Sequence, residues 1–464
     1  MLYFQPYIKK ISILYSMKFI SILYLCSLLL IGCNISSEKL EPLPSPILKE
    51  SEFTTTFIAD SSNRAGWWKP ITSQGDYIFI AFNSQGKDDS NCKEKSNHML
   101  TLAYKSYSTN WQYKTSLSKN KKKYWTGCDD VGHRQPTIAV DGDGAIHIWA
   151  GMHGEPDGCC YLRASEKTAN LEIKDDFKNI GRFTYPIAKT APNGDIYLII
   201  RDLPNVASTS EQEKFSGSGK LFHWNNLTDK WRLIESFAAN TFENNQFNAP
   251  VYPNDLYIDE NNIAHILWEW AIDKTSDKRF QGSYIQYDTV NKMFTSASNT
   301  LLNAPISLDT VKSYPEITFE PSNATLSNTN FIQSAKLLVH EEYCTPCVVY
   351  RSVNNNSSRI MMTRWSNNTW QNPEQISDKH TASFATLDVE MFNNTINVFY
   401  ALKEKGVYKA SRKTTDEQWE INQVLNSAAE DIRLSVEQMG DTTMLYINLF
   451  ELSQNESHLI IQEH

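Results

Sequence analysis

The sequence predicts an all-β protein, a seven-bladed β-propeller that follows an N-terminal lipoprotein signal and a short tether. Three observations support this fold class. A short strand pattern recurs seven times, turn residues separate the apolar runs, and no long segment has the 3.6-residue period of an amphipathic helix. The chain of 464 residues exceeds the usual size of one domain, and a closed ring of blades accounts for that length.

Each copy of the repeat starts with turn residues and continues as a run of β-branched and aromatic residues, the composition typical of strands. The first strand residues of the seven copies are Tyr77, Ile146, Ile196, Ile263, Leu337, Ile396 and Met444. Successive copies start 48 to 74 residues apart, so the short steps match one four-stranded blade and the long steps indicate inserted loops. The copy at Leu337 is the weakest. We expect Trp111, Trp231, Trp370 and Trp419 on outer or third strands.

The N-terminus is expected to be a bacterial lipoprotein signal that occupies residues 1–32, with Met17 as the start. Lys18 is followed by a short apolar run, and Gly32 precedes Cys33, the residue expected to carry the lipid. An ordinary secretory signal is the alternative. Residues 33–52 form the lipidated cysteine and a Pro-rich tether, and residues 53–464 form the propeller. The predicted location is the cell envelope, with the protein anchored as a monomer at the outer membrane or the cell surface.

The net charge argues against nucleic acid as a partner. The chain has 53 acidic and 44 basic residues, and its net charge is −9. The signal region carries Lys9, Lys10 and Lys18 and no acid, so the mature chain stands at −12. A protein this acidic does not bind nucleic acid through bulk charge, and a polyanionic ligand would require a local basic patch. The segment with Lys114, Lys119 and residues 121–123 is a candidate patch for sulfate groups, or else a solvated loop.

The cysteines allow more than one interpretation. An exported protein with several cysteines is expected to form disulfides, and Cys92 with Cys128 is the first pair that we expect. Cys344 and Cys347, with His340 nearby, could hold zinc. A disulfide between them, or two free thiols, are the alternatives. The Asp-Gly-Asp-Gly segment at residues 141–144 is interpreted as a hairpin turn, because a calcium loop would need a later Glu ligand.

Four polar residues at strand ends predict the chemistry. His133 precedes one strand and His153 follows the next, and the tight turn between the strands brings both histidines to the same edge. Tyr185 precedes a proline, and Arg201 closes the following repeat strand. Structural roles are the alternative: Arg201 could pair with an acid, and Tyr185 could be a core residue with a satisfied hydroxyl.

These residue types suit elimination from a sugar acid. The proton beside a uronate carboxylate is weakly acidic, and a guanidinium paired with that carboxylate stabilises the enolate that forms when the proton leaves. A neutral histidine can remove the proton near neutral pH, and tyrosine can act as acid or base if a cation such as Arg201 lowers its pKa. We therefore expect His133 and Tyr185 to be the base and the acid, in an order left open, with His153 also catalytic.

The segment from Gly132 to His153, together with Tyr185-Pro and Arg201, resembles the propeller ulvan lyases, polysaccharide lyase families twenty-four and twenty-five within the neuraminidase-like repeat group. Further segments around Arg64 and Tyr252 are similar to the same group. The resemblance covers most of residues 57–270. It implies seven blades, lyase activity on a sulfated uronate polysaccharide, and carboxylate or substrate binding by Arg201, His153, Tyr252 and Arg64. It also implies a structural metal, zinc or calcium, and no catalytic cofactor.

Two other functions compete with this prediction. A sialidase-like hydrolase would need three arginines around one carboxylate and Ser-x-Asp-x-Gly-x-x-Trp turns, which the sequence lacks. A non-catalytic glycan-binding lipoprotein needs no base, so the two histidines argue against it. The sequence therefore favours a lipid-anchored lyase whose partners are an anionic polysaccharide and, through the lipid, a membrane.

Overall fold

The computed structural model confirms the seven-bladed propeller. It describes residues 45–59, 62–63, 66–85, 97–117, 126–128, 135–150, 160–177, 180, 182–203, 217–242, 247–271, 279, 281–320, 331–354, 357–378, 386–451 and 456–464. In six of the blades the main strands pair antiparallel in chain order outward from the central channel, and in the seventh the two outer strands come from the start of the described chain. The seven first strands contact one another in a closed ring.

The first three blades consist of consecutive strands. Blade 1 contains β3 (Ile71–Gln74), β4 (Tyr77–Gln85), β5 (Asn97–Ser106) and β6 (Gln112–Thr115), with β7 (Thr126–Cys128) also paired to β5. Blade 2 contains β8 (Thr137–Val140), β9 (Ile146–Ala150), β10 (Cys160–Ala164) and β11 (Glu172–Lys174). Blade 3 contains β12 (Arg182–Thr190), β13 (Ile196–Leu203), β14 (Ser218–Asn225) and β15 (Lys230–Ala238).

The next two blades carry additional elements. A two-stranded ribbon, β16 (Thr241–Phe242) and β17 (Phe247–Asn248), follows blade 3. Blade 4 contains β18 (Val251–Ile258), β19 (Ile263–Trp270), β20 (Gln281–Asp288), β21 (Met293–Thr295) and β22 (Leu301–Leu302), with β23 (Thr318–Glu320) paired to β20. A helix, α1 (Leu308–Ser313), and a 3₁₀ turn (Pro315–Ile317) precede β23. Blade 5 contains β24 (Phe331–His340), β25 (Cys344–Asn354), β26 (Ser357–Ser366) and β27 (Thr369–Trp370), with β28 (Glu374–Gln375) paired to β26.

The last blade joins the two ends of the propeller. Blade 6 contains β29 (Leu387–Phe392), β30 (Thr395–Leu402), β31 (Gly406–Lys413) and β32 (Glu420–Asn426). Blade 7 contains β33 (Asp431–Met439), β34 (Thr442–Glu451) and β35 (Glu456–Glu463), and is completed by β2 (Thr54–Ala59) and β1 (Ile47–Glu50). Because β2 pairs with the C-terminal strand β35, the ring closes through backbone hydrogen bonds. β1 therefore lies in a segment that the sequence predicts to be tether.

Seven hydrophobic clusters fill the seven spaces between adjacent blades. Each blade is apolar on both of its faces, which explains why the strands read as nearly continuous apolar runs. The four tryptophans that we expect on outer or third strands lie in outer strands or directly before them. Trp231 and Trp370 lie in β15 and β27, and Trp111 and Trp419 directly precede β6 and β32.

The seven copies of the repeat fall in seven different blades, one copy in each blade, but one copy differs from the others in its strand position. Six copies lie at or near the start of the second strand of a blade, but Leu337 lies in β24, the first strand of blade 5, whose second strand is β25. The reason is that first and second strands of a blade are both buried on their two faces. An apolar strand pattern therefore does not distinguish the two positions.

The blades define two ends of the channel. We call the end where first strands begin and second strands end the loop face, and the end with the tight turns between these strands the turn face. At the turn face, residues 141–145 form the expected hairpin turn, with Asp141 Oδ1 accepting hydrogen bonds from the backbone N–H groups of Asp143 and Ala145. Gly142 approaches Gly194 of the next blade, where an added Cβ would lie 2.7 Å from the Gly194 Cα, so a side chain does not fit.

A buried Asp–His–Tyr arrangement occurs in two blades. His147 Nε2 lies 3.2 Å from Asp141 Oδ2, and His147 Nδ1 lies 2.7 Å from the Tyr161 hydroxyl. The second copy joins Asp259, His265 and Tyr284 at 3.2 and 2.6 Å. Burial lowers the pKa of His147, although Asp141 opposes the shift, so the ring is neutral at neutral pH. Each set connects a turn-face loop to the second and third strands, and its role is structural.

Among the residues that the structure describes, no helix is both long and apolar enough to cross a membrane.

Candidate functional site

Tyr185 lies at the loop face in an unusual backbone conformation. The pairing of β12 with β13 shifts register between Thr184 and Ile187, and Tyr185 adopts a φ of 55° within this bulge. The left-handed region costs a non-glycine residue about 1–2 kcal/mol. Such strain is characteristic of functional positions. The following Pro186 has no backbone N–H to donate to the sheet, so a bulge at this point sacrifices no hydrogen bond from that residue.

Aromatic contacts hold the Tyr185 ring. The ring stacks on Trp68 with centroids 5.2 Å apart, and it meets the ring of Tyr252 edge-on at 5.5 Å. With Ala271, these three residues form a small eighth cluster, against which the partly buried Trp67 packs. The cluster lies at the loop end of the channel, because Trp68 precedes β3 and the two tyrosines lie near the starts of β12 and β18.

Arg201 joins this cluster from β13. It is paired with Thr184, the residue before the bulge. Its guanidinium carbon lies 5.7 Å from the ring centroid of Tyr185 and 4.3 Å from that of Tyr252. The side chain is buried. The structure therefore brings together three of the residues that the sequence predicts for the site, Tyr185, Arg201 and Tyr252, on strands of two adjacent blades.

The remaining predicted positions lie outside the described residues. They are His133, His153, Arg64 and Cys33. Their predicted roles remain predictions, as does the disulfide between Cys92 and Cys128.

Sequence reasoning missed further arginines at the loop face. Arg279, between β19 and β20, has its guanidinium carbon 3.4 Å from the ring centroid of Tyr252. Arg433, near the start of β33, lies 5.8 Å from the ring of Trp67 and 2.8 Å from Asp431. Arg351, near the end of β25, is fully buried, and its pKa falls to about 10 because of burial and the nearby charge of Arg433. An arginine at the loop-face end of a strand is the signal that identified Arg201, and it could have found Arg351 and Arg433.

A buried carboxyl lies among these cations. Glu269 is 1 % exposed and is paired across the sheet with Tyr252. Burial raises its pKa to about 7, although Arg279, Asn254 and Lys336 oppose the shift. The loop face thus combines the aromatic cluster around Tyr185 with buried guanidinium groups and a carboxyl whose pKa is about 7. Such a surface is suited to a ligand that has apolar ring faces and negative charges.

The prediction of a zinc site at Cys344 and Cys347 is wrong in this structure. The two sulfur atoms form a disulfide, so neither is available as a thiolate ligand. His340 Nε2 lies 3.0 Å from the side-chain oxygen of Asn394. Among the described residues, no group of three or more His, Cys, Asp or Glu side chains is arranged to bind a metal. The described residues therefore do not supply the structural metal site that the resemblance implies.

Lys114 does not belong to the candidate sulfate patch. Its ammonium donates hydrogen bonds to the backbone carbonyls of Thr168 and Ala169 in the next blade, at 3.0 Å in the second case. Burial lowers its pKa, although Glu166 opposes the shift. Lys114 therefore connects blades 1 and 2. Lys119 and residues 121–123 lie outside the described residues.

A cavity of about 430 Å³ occupies the turn-face end of the channel. Its charged lining is largely paired: Lys69 Nζ lies 2.9 Å from Asp388 Oδ2, and Lys189 Nζ lies 3.9 Å from Glu437 Oε2. Lys189 follows Tyr185 by four residues along β12, so this cavity lies about 13 Å further along the channel than the cluster at the loop face. Of the predicted site residues that the structure describes, Tyr185, Arg201 and Tyr252 do not line this cavity, whereas His340 does.

The fold and the loop face together define a propeller with an aromatic and arginine-rich channel mouth. A sequence profile of BNR repeat-containing family members matches residues 77–378, more than half of the chain, and the protein belongs to this family.

Solved structures support the same fold. A polysaccharide lyase of family PL25, an ulvan lyase bound to -[GlcA(1-4)Rha3S]-, superimposes with a TM-score of 0.64 at 12% identity, over 90% of this chain and 95% of that chain. The polysaccharide lyase Uly1 superimposes with a TM-score of 0.58 at 13% identity, over 85% of this chain and 89% of that chain. The predicted resemblance to propeller ulvan lyases is thereby confirmed for the fold. No curated protein matches the sequence significantly.

Proposed function

We propose that the protein is a polysaccharide lyase that cleaves a sulfated, uronate-containing polysaccharide of the ulvan type by β-elimination. The observation that carries the proposal is the position of Arg201, which contacts the rings of both Tyr185 and Tyr252 at the loop end of the channel. The similarity in fold to an ulvan lyase bound to a glucuronate-containing fragment supports it. The substrate class and the roles of individual residues are our inference.

Arg201 would neutralise the uronate carboxylate. Its guanidinium can donate two parallel hydrogen bonds to a carboxylate, which stabilises the enolate that forms when the C5 proton leaves. Burial of the side chain strengthens this effect, because water does not screen the charge. The partly buried ring of Trp67 provides an apolar surface on which a sugar ring can stack.

His133 and Tyr185 would be the base and the acid. The base removes the C5 proton, the electron pair forms the C4–C5 double bond, the C4–O bond breaks, and the acid protonates the departing oxygen. The positive charge of Arg201 near the Tyr185 ring favours the phenolate that Tyr185 becomes when it has given its proton away. His153 would complete the site beside His133.

Two further features belong to the same proposal. Cys33 would carry the lipid that anchors the propeller in the bacterial cell envelope, where polysaccharide is accessible. The propeller would act as a monomer.

The direct test is the ultraviolet absorbance of the new conjugated double bond, measured with ulvan, alginate, heparin and chondroitin as substrates. We expect the signal with ulvan, and its loss in His133→Ala and Tyr185→Phe variants that keep the fold. Binding of ulvan without turnover would instead favour a glycan-binding protein. Release of reducing ends without the double bond would indicate a hydrolase.

A further inference from the structure

We propose that Arg279 forms a second anion-binding position beside Arg201, and that it binds the sulfate ester of the polysaccharide while Arg201 binds the uronate carboxylate. This inference rests on the proposed function for the identity of the polymer. It makes Arg279 the residue that determines preference for a sulfated substrate.

The geometry of one tyrosine ring supports the proposal. The guanidinium carbons of Arg201 and Arg279 lie 4.3 and 3.4 Å from the ring centroid of Tyr252. Two cations are thus placed on one ring, and Tyr252 itself contacts Tyr185. In the proposed mechanism one guanidinium, that of Arg201, neutralises the uronate carboxylate. The guanidinium of Arg279 lies beside the same tyrosine ring, so it suits a substrate that has a second negative group on the neighbouring sugar.

The surroundings of Arg279 favour an anion there. The side chain is 7 % exposed, so a charge bound to it is weakly screened. The carboxyl of Glu269 acts on both Arg279 and Arg351. Burial raises the pKa of Glu269 to about 7, so this group carries only part of a negative charge at neutral pH.

Sulfate is the second anion that the proposed substrate would present to Arg279. A sulfate ester stays ionised throughout the pH range in which a protein is folded, and its three terminal oxygens can accept the two parallel hydrogen bonds of a guanidinium. A second uronate carboxylate would present the same fork with two oxygens. A desulfated polymer that keeps its uronates distinguishes binding of a sulfate from binding of a second carboxylate.

The test measures equilibrium binding of ulvan and of the same ulvan after chemical desulfation, by calorimetry, in the full-length protein with Tyr185→Phe to prevent turnover. We expect at least about tenfold tighter binding of the sulfated polymer. Adding Arg279→Gln should weaken binding of sulfated ulvan by about tenfold and leave binding of desulfated ulvan unchanged, so the preference disappears.

Arg412→Gln is the matched control. Arg412 is 5 % exposed, and its guanidinium carbon lies 4.5 Å from the ring of Trp419 in blade 6, so it resembles Arg279 in burial and contact type but not in position. It should leave the preference for sulfated ulvan intact. If Arg279→Gln does not fold, Arg279→Lys replaces it, and a reduced preference is expected because the ammonium cannot form the fork.

The outcomes separate this inference from the proposed function. Equal weakening on both polymers, or an unchanged preference in the Arg279 variant, would overturn the role of Arg279 even if the protein cleaves ulvan. A preference for sulfate that depends on Arg279, in a protein that forms no double bond, would support the anion-binding position while refuting the lyase.

Discussion

The guanidinium carbon of Arg201 lies 4.3 Å from the ring centroid of Tyr252, although the two residues come from adjacent blades. This contact ties β13 to β18 at the loop face. It places a buried positive charge beside the aromatic cluster that also contains Tyr185.

Substitution of Arg201 should remove turnover while leaving the fold. We expect Arg201→Lys to lower kcat/KM on ulvan by about 100-fold or more, because lysine keeps the charge but cannot form two parallel hydrogen bonds with the carboxylate. Steady-state kinetics from the double-bond absorbance measure the effect. Arg163→Lys, on a partly exposed side chain that pairs with Asp229, is the control and should retain wild-type kcat/KM.

Removal of the Tyr185 hydroxyl should abolish elimination without loosening the site. Tyr185→Phe keeps the ring that stacks on Trp68 at 5.2 Å, so the thermal midpoint should stay close to that of the wild type. The rate should fall by about 100-fold or more, as expected for loss of an acid or base. Tyr400→Phe removes a hydroxyl from an equally buried ring in blade 6 and should leave the rate unchanged. Substantial activity in Tyr185→Phe would remove Tyr185 from the mechanism.

The stability of the protein should depend on pH through Glu269. Its pKa is raised from 4.5 to about 7 in the folded state, so the folded protein retains a proton that the unfolded chain releases between these values. Stability from this group is therefore fully present below the unfolded pKa and is lost as pH rises through that window, by about 3 kcal/mol in total.

Glu269→Gln tests this directly. The variant should lack this part of the pH dependence, so the difference in unfolding free energy between wild type and variant should change as pH rises toward 7 and level off above it. Urea denaturation at a series of pH values measures the difference. A constant difference across the window would show that Glu269 does not titrate there.

The buried pair of Lys69 and Asp388 should couple blades 1, 6 and 7. Lys69 donates to Asp388 Oδ2 at 2.9 Å and to the backbone carbonyl of Val436, while Asp388 Oδ2 also accepts from Ser435 and from the Val436 N–H. Burial disfavours both charges. The neighbouring carboxylates nonetheless raise the pKa of Lys69 to about 12, and Lys69 and Lys336 hold the pKa of Asp388 below its ordinary value.

Breaking this pair on one side should destabilise the fold strongly. We expect Lys69→Met and Asp388→Leu each to cost about 3–5 kcal/mol, since each leaves a buried charge without its partner. The double variant should cost less than the sum of the two, which a double-mutant cycle in urea would measure. Additive losses would mean that the two charges do not interact energetically.

The Asp–His–Tyr set at the turn face should contribute to stability and not to activity. Tyr161→Phe removes the hydroxyl that contacts His147 Nδ1 and accepts from the Trp231 indole N–H. We expect a loss of about 1–3 kcal/mol, because buried polar groups are left unpaired. The lyase rate at saturating substrate should be unchanged. A loss of rate with unchanged stability would assign His147 to the chemistry instead.

The sequence alone determined the class of fold and part of the candidate site. Apolar runs separated by turn residues specify strands, and the same local pattern in seven copies specifies blades, because both signals depend on neighbouring residues. Tyr185 and Arg201 were identified because each polar residue ends an apolar strand. The strand order within blade 5 was not determined, since β24 and β25 are both buried on two faces.

Only the tertiary structure decided what surrounds those residues. Arg279 comes from a segment without periodicity. No pattern of residues in the sequence singles out Glu269, whose carboxyl interacts electrostatically with Arg279 and Arg351. The ring closes through β2 and β35, which are separated by almost the whole chain. The bond between Cys344 and Cys347 was one of several alternatives until the structure showed the disulfide. Charge pairing and burial depend on contacts between distant blades, and local sequence patterns do not encode them.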